Sequence, residues 1–433
     1  MNFYSLNNRQ YKVSFKEAVL MGQAPEKGLF FPESIPLLTP EFRQNWRAFS
    51  NEEIAFQTIL PFVGTDIDKP ALRRIVEETI PFEFPLREVE SNVYALELFH
   101  GPTLAFKDVG ARFLSRCLEY FVAQSEKKIT ILVATSGDTG GAVADAFYEV
   151  EGVDVIILFP SGKVSETQRL QLTTYGKNIT ACEVSGTFDD CQAMVKQAFA
   201  DRDLSQRYHF NSANSINIAR WLSQQFYYFI AVKQWPLGQA PVISVPSGNF
   251  GNICAGLLAG KRGLPVRKFL AACNENDLFV RYLESGDTSA RDTIPTVSNA
   301  MDVGKPSNFQ RVLALFENNH AAIRRHISAY RFTSAETLEA IRAIAEKTGY
   351  IMDPHGAVGY LALKAHLENN KGEAGIFLET AHPAKFSETV QPVVSQKIQA
   401  PGKIENLAFK ESYSRKISTS MSAFKELLMS GFK

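Results

Sequence analysis

The sequence predicts an α/β protein made of two open, mostly parallel sheet units preceded by an N-terminal lobe. Three observations carry this. Short, nearly continuous apolar runs recur along the chain, stretches with helical spacing separate them, and glycine-bearing loops follow several of the runs. A strand that is apolar throughout needs cover on both faces, which is the condition of a parallel sheet. Regular alternation of such strands with helices is the α/β pattern. The chain has 433 residues, 45% hydrophobic and 21% charged, a balance that supports a large core and excludes disordered or fibrous classes.

Residues 1–95 are rich in aromatics, lack the strand–helix rhythm and read as the N-terminal lobe. Residues 96–240 read as the first α/β unit. After Lys107, one helix face collects Val109, Phe113, Leu114, Cys117, Leu118 and Phe121. Strands are expected over 129–135, 153–159 and 178–184. Thr187 is an N-cap, with Asp189 and Asp190 at the positive end of the helix that follows. A helix over 215–230 has an ordinary amphipathic reading. The Pro/Gly-rich stretch 234–241 is the linker. Residues 241–433 form the second unit, with strands over 241–245, 268–273 and 375–380 and a capping box at Thr333-Ser-Ala-Glu336. Phe424, Leu427 and Leu428 in the tail are expected to dock as a helix.

Composition narrows the function. Lys+Arg and Asp+Glu are both 46, so charge supports neither nucleic acid nor an anionic membrane as partner. The five cysteines, Cys117, Cys182, Cys191, Cys254 and Cys273, are odd in number and lack CxxC spacing. They fit thiols in a reducing compartment better than a disulfide framework or a zinc site. The histidines show no metal-binding spacing, so no metal is expected. The N-terminus has no signal-peptide core, and no apolar run nears the ~20 residues that span a bilayer. A cytoplasmic location is expected.

Four loops follow expected strands, where ligands gather in open α/β sheets. In Leu98-Phe-His-Gly-Pro-Thr-Leu-Ala-Phe-Lys107, the lysine is either a surface residue paired with Asp108 or a buried amine. Burial and a helix N-terminus lower an ammonium's pKa, and a neutral amine can attack an aldehyde. The loop at Thr135, Ser136, Gly137, Asp138 and Thr139 either caps a helix or holds a carboxylate or phosphate at its start. In the third, Gly248, Asn249, Phe250, Gly251 and Asn252 can curl backbone around a phosphate. It is not GxGxxG, and Gly256-Leu-Leu-Ala-Gly-Lys261 is not a Walker A loop, so nucleotide binding is weakly supported. The fourth places the Thr380 hydroxyl at a strand end, able to make one hydrogen bond to a ring nitrogen. No GxSxG elbow supports a serine hydrolase.

These loops, with Gly28-Leu-Phe-Phe-Pro32, Asn211-Ser-Ala-Asn-Ser-Ile-Asn-Ile-Ala-Arg220, Ser298-Asn-Ala-Met-Asp-Val303, Asp353-Pro-His-Gly356 and Thr380-Ala-His-Pro-Ala-Lys-Phe386, resemble the threonine synthase family of the bacterial and fungal type. The resemblance covers most of the chain. It implies the tryptophan synthase β-like fold and a pyridoxal 5'-phosphate enzyme that turns O-phospho-L-homoserine and water into L-threonine and phosphate. Lys107 would carry the cofactor, 248–252 would cradle its phosphate, and Thr380 would face the pyridine nitrogen. Thr135, Ser136, Gly137, Asp138 and Thr139 would line the substrate carboxylate and the ring's phenolic side. The wider fold often has Asn where this chain has Asp138, and two facing anions repel unless a proton sits between them. Asn211, Ser212 and Arg220, with Lys163 and Arg112 behind them, are candidates for the substrate phosphate. Against this, in the amphipathic reading of the 215–230 helix Arg220 is merely a solvated face residue. The implied partner is a phosphorylated amino acid, and the protein would be a monomer or homodimer. The competing enzyme reading is a pyridoxal-phosphate dehydratase or β-replacement enzyme on an unphosphorylated amino acid. A non-catalytic relative would be expected to lack the lysine or the phosphate loop.

Overall fold

A computed structural model describes residues 1–125, 128–289 and 291–431. Among the described residues, three sheets organise the chain. In the N-terminal region, strands β1 (Phe3–Ser5), β2 (Lys12–Val13) and β3 (Phe30–Pro32) form a small antiparallel sheet in the order β2-β1-β3.

The larger sheet begins with β4 (Leu86–Glu90) and β5 (Val93–Glu97). Strands β6 (Ile129–Ala134), β7 (Val153–Pro160), β8 (Ile179–Val184) and β9 (His209–Asn211) belong to another sheet. Then come β10 (Val242–Pro246), β11 (Lys268–Cys273), β12 (Ile327–Arg331), β13 (Gly375–Glu379) and β14 (Arg415–Ile417). One sheet has six strands in the order β12-β11-β10-β13-β5-β4, and the other has five, β14-β8-β7-β6-β9. Their pairings are parallel except for β4 with β5. Every residue of β6, β10 and β13 is buried, as two covered faces require.

Sheet membership does not follow chain order. β5 pairs with β13 in the sheet of the later residues, and β14 returns to pair with β8. The tail packs as the Met421–Ser430 helix, with Phe424 and Leu428 fully buried against Cys182, Val184, Cys191 and Met194. The capping boxes at Thr187 and Thr333 are both complete. The expected helix over 215–230 is instead two helices, Ile218–Leu222 and Gln225–Gln234. All five cysteines are free and buried. Among the described residues no helix is long and apolar enough to cross a membrane, and no His/Cys/Asp/Glu group could hold a metal ion.

Candidate active site

Lys107 opens the Lys107–Val122 helix. The segment before it is laced to the end of β13. Phe106 N–H donates to the Thr380 carbonyl (2.9 Å), His382 N–H donates to the Leu104 carbonyl (3.0 Å), and Ala105 bridges to Ala381. The Lys107 amine makes no hydrogen bond among the described residues, and its nearest ring contact is Phe106 at 5.8 Å. Burial pushes its pKa down to about 8; Asp138 opposes the shift, while Arg220 and Lys385 add to it. The alternative surface pair with Asp108 is not formed. Asp108 is buried and instead accepts from Thr103 N–H (3.0 Å) and the Thr103 hydroxyl. Burial pushes Asp108 up to about 6, with Thr103 working against it and Asp145 with it.

The loop after β6 is clasped by Thr135. Its Oγ1 accepts from Gly137 N–H (3.0 Å) and Gly140 N–H (2.9 Å). Gly137 has φ 139°, and a Cβ there would run into the Gln168 amide. That amide is fixed by its own work, donating from Nε2 to Asp138 Oδ1 at 2.9 Å. Lys385 Nζ sits 2.9 Å from the same oxygen. Burial alone would raise the Asp138 pKa, but Lys385, Lys107 and Gln168 hold it well below the usual carboxylate range. Ser136 and Thr139 are half-buried at the start of the Asp138–Phe147 helix, with hydroxyls uncommitted among the described residues.

The 248–252 loop follows β10, the parallel neighbour of β13. It therefore lies at the same sheet edge as Thr380 and the Lys107 segment. Gly248 packs on the Met301 backbone, where a Cβ would lie 2.6 Å from Met301 Cα. Phe250 takes the left-handed conformation, φ 61°, and Gly251 opens the Gly251–Lys261 helix. No backbone N–H over 248–253 donates a hydrogen bond among the described residues. Asn249 pins the loop: its Nδ2 donates to Ser215 Oγ (2.8 Å) and its Oδ1 accepts from Ser307 N–H (2.6 Å). Asn252 Oδ1 accepts from Tyr227 OH (2.8 Å) and Tyr228 OH (2.7 Å), while its buried Nδ2 has no partner.

Segment 211–220 joins these two ends unevenly. Arg220 is not a solvated face residue. It is 3% exposed, on the short Ile218–Leu222 helix, and packs over Gly110 of the Lys107 helix. Its Nη1 donates to the Ala213 carbonyl, and its buried Nε has no partner. Burial lowers its pKa to about 10 against the pull of Asp108. Asn211 uses both amide hydrogens on the carbonyls of Val19 and Leu20 (2.9 Å each), tying β9 to the N-terminal lobe. Ser212 Oγ accepts from Asn214 N–H (3.3 Å). Arg112 donates twice to the Glu78 carbonyl, and Lys163 is exposed.

Thr380 is buried, and its hydroxyl is uncommitted among the described residues. Behind it, Glu379 is fully buried; burial and the Asp353 charge push its pKa well up. Asp353 accepts from His355 Nδ1–H (2.5 Å), and His355 Nε2 accepts from Ala300 N–H (3.2 Å). Ala300 adjoins Met301, so this pair braces the segment on which Gly248 rests.

The residues sequence reasoning missed are those that hold the others. Gln168 and Lys385 hold Asp138, Ser215 and Asn308 hold the 248–252 loop, and Arg311 donates to the carbonyls of Phe30, Ser215 and Ile216. Lys385 and Ser215 lie inside motifs that carry the family resemblance, which was the available signal.

Comparison with known proteins decides the family. A model described as "Pyridoxal-phosphate dependent enzyme" matches residues 79–378, flanked by "Threonine synthase N terminus" over 2–80 and "Threonine synthase, C-terminal" over 356–428. The chain belongs to the threonine synthase family. It is 44% identical over 403 residues to the threonine synthase of Haemophilus influenzae, covering 93% of each chain. It superposes on the crystal structure of threonine synthase from Escherichia coli with TM-score 0.93 and 41% identity, covering 99% of this chain and 100% of that one. It superposes on the pyridoxal-phosphate-bound threonine synthase of Brucella melitensis with TM-score 0.91 and 34% identity, covering 99% and 98%. The residues present fit the family's cofactor. A run of free backbone N–H groups suits a phosphate, and a buried amine of lowered pKa suits an aldehyde. The uncommitted hydroxyl of Thr380 stands at the adjacent strand end.

Proposed function

We propose that the protein converts O-phospho-L-homoserine and water to L-threonine and phosphate, with pyridoxal 5'-phosphate held at Lys107. The observation that supports this most is the Lys107 amine. It is without a hydrogen bond among the described residues, lowered to about 8, and laced to the strand end beside the 248–252 loop.

The backbone N–H groups of Gly248, Asn249, Phe250, Gly251 and Asn252 would hold the cofactor phosphate, and Thr380 would meet the ring nitrogen. Pyridoxal phosphate supplies an electron sink that makes the α-proton of the bound amino acid removable. Lys107 Nζ, freed when the substrate's amine displaces it, takes that proton and later moves the β-proton to the γ-carbon, an exchange that suits an amine whose pKa burial lowers to about 8. Ser136 and Thr139 receive the substrate carboxylate at the helix start, with Thr135 and Gly137 shaping that turn. Arg220 answers the substrate phosphate with its guanidinium. Asn211 and Ser212 hold the wall from which Arg220 projects. The net change breaks the γ-carbon–oxygen bond, releases phosphate and adds water at the β-carbon.

The test is phosphate release coupled to threonine formation from O-phosphohomoserine, with Lys107→Ala alongside. Both products should form in equal amounts, and Lys107→Ala should lose them together with the near-visible absorbance of the bound cofactor. Turnover of serine or threonine without phosphate release would establish the dehydratase reading instead.

A further inference from the structure

Lys385 is a cation enclosed within the fold. Its side chain is 0% exposed, and a buried ammonium is costly unless paired and hydrogen-bonded. It has both partners: Asp138 Oδ1 at 2.9 Å and the Thr103 carbonyl, to which Nζ donates at 2.7 Å. Thr103 also binds Asp108, and Gln168 binds the same Asp138 oxygen. Lys385 thus closes a chain from the β13 end through Asp138 to the mouth of Lys107. The charges facing Lys107 are Asp138 from the Asp138–Phe147 helix, Arg220 from the Ile218–Leu222 helix, and Lys385 from the turn Pro383–Phe386. Asp138 and Lys385 cancel as a pair; either one alone would impose a full charge on the neighbouring nitrogen.

We propose that Lys385 is a positioning residue of this site: by neutralising Asp138 it governs how tightly the Lys107 nitrogen holds a proton. The pair also removes the difficulty of a lone carboxylate near the cofactor's phenolic oxygen, because Asp138 arrives already balanced by a cation. The inference rests on Lys107 being the cofactor lysine.

The experiment follows the rate at which cofactor-free, full-length protein takes up pyridoxal phosphate, read by near-visible absorbance between about pH 6 and pH 10. Uptake requires the neutral amine, so the profile reports the Lys107 nitrogen. Lys385→Met should move the midpoint up by about one pH unit, and Asp138→Asn should move it down by about as much. The double variant Asp138→Asn/Lys385→Met should return to within about half a unit of the parent, and Lys385→Arg should stay there. A merely structural lysine would lower the extent of uptake at every pH without moving the midpoint, and that result overturns the inference. So does a double variant that stays displaced. If Lys385→Met does not fold, Asp138→Asn and the double variant decide alone: a midpoint that fails to fall in the former overturns the inference. Borohydride reduction and peptide mapping identify the nitrogen that holds the cofactor. Loss of the Lys107 assignment is thereby read separately from loss of the Lys385 inference.

Discussion

Around Lys107, burial outweighs every nearby charge. The amine is surrounded by two cations and one carboxylate, yet burial is the largest cause of its lowered pKa. The same burial acts in the opposite sense on Asp108, raising it from 3.8 to about 6. Between those values the folded protein binds more protons at this group than the unfolded chain. Stability therefore falls as pH rises through the window and stays lower above it. Asp108→Asn removes the charge while keeping an acceptor for Thr103. Relative to the parent, the variant should gain about 2 kcal/mol on going from pH 4 to pH 7, measured by denaturant unfolding at both values. A pH-independent difference would show that Asp108 is not neutralised by the fold. Arg220 gives a second prediction. Arg220→Lys keeps the charge but loses the fork, so KM for O-phosphohomoserine should rise about tenfold with cofactor absorbance retained. An unchanged KM would remove Arg220 from the substrate phosphate.

At the scale of elements, the sequence made the strands and loops legible because each is specified locally. An apolar run ending in Thr135 or Pro246 marks a strand end, and glycine after it marks a turn near a helix start. The capping boxes at Thr187 and Thr333 are local in the same way. What could not be read is whatever needs two distant segments. Gln168 lies on an ordinary helix and is important only because its amide reaches Asp138. Lys385 lies in the Thr380–Phe386 motif, but its partner Asp138 follows a strand of the other large sheet. Arg220 reads as solvated when its helix is taken as amphipathic, but every residue of Ile218–Leu222 is buried, and so are Gln225 to Val232 of the next helix. The tail helix was legible from Phe424 and Leu428, although its target was not. Phe424→Ala should cost about 3 kcal/mol of stability, since Phe424 is fully buried against the β8 cluster. Activity per folded molecule should stay near the parent value, and a selective loss of turnover would tie the tail to the site.

For the whole molecule, the site draws on both large sheets. The Lys107 helix packs on the Asp138–Phe147 helix beside β6 and β7, while the 248–252 loop and Thr380 end strands of the six-stranded sheet. A ligand held by both should stabilise them together. Removing pyridoxal phosphate should lower the melting temperature by about 3 °C, estimated for a ligand present at about a hundred times its Kd. The transition should remain single in scanning calorimetry. Two transitions, only one of them cofactor-sensitive, would place the cofactor on one sheet alone.

The pairing of β5 with β13 carries a consequence for biogenesis. Val93 leaves the ribosome long before Gly375, its partner in the ladder. At ordinary elongation rates that interval is on the order of tens of seconds. Until then the edge of β5 that will receive β13 has only β4 on its far side, and its apolar residues invite foreign strands. Slower translation between those two positions prolongs the time for which that edge stands open.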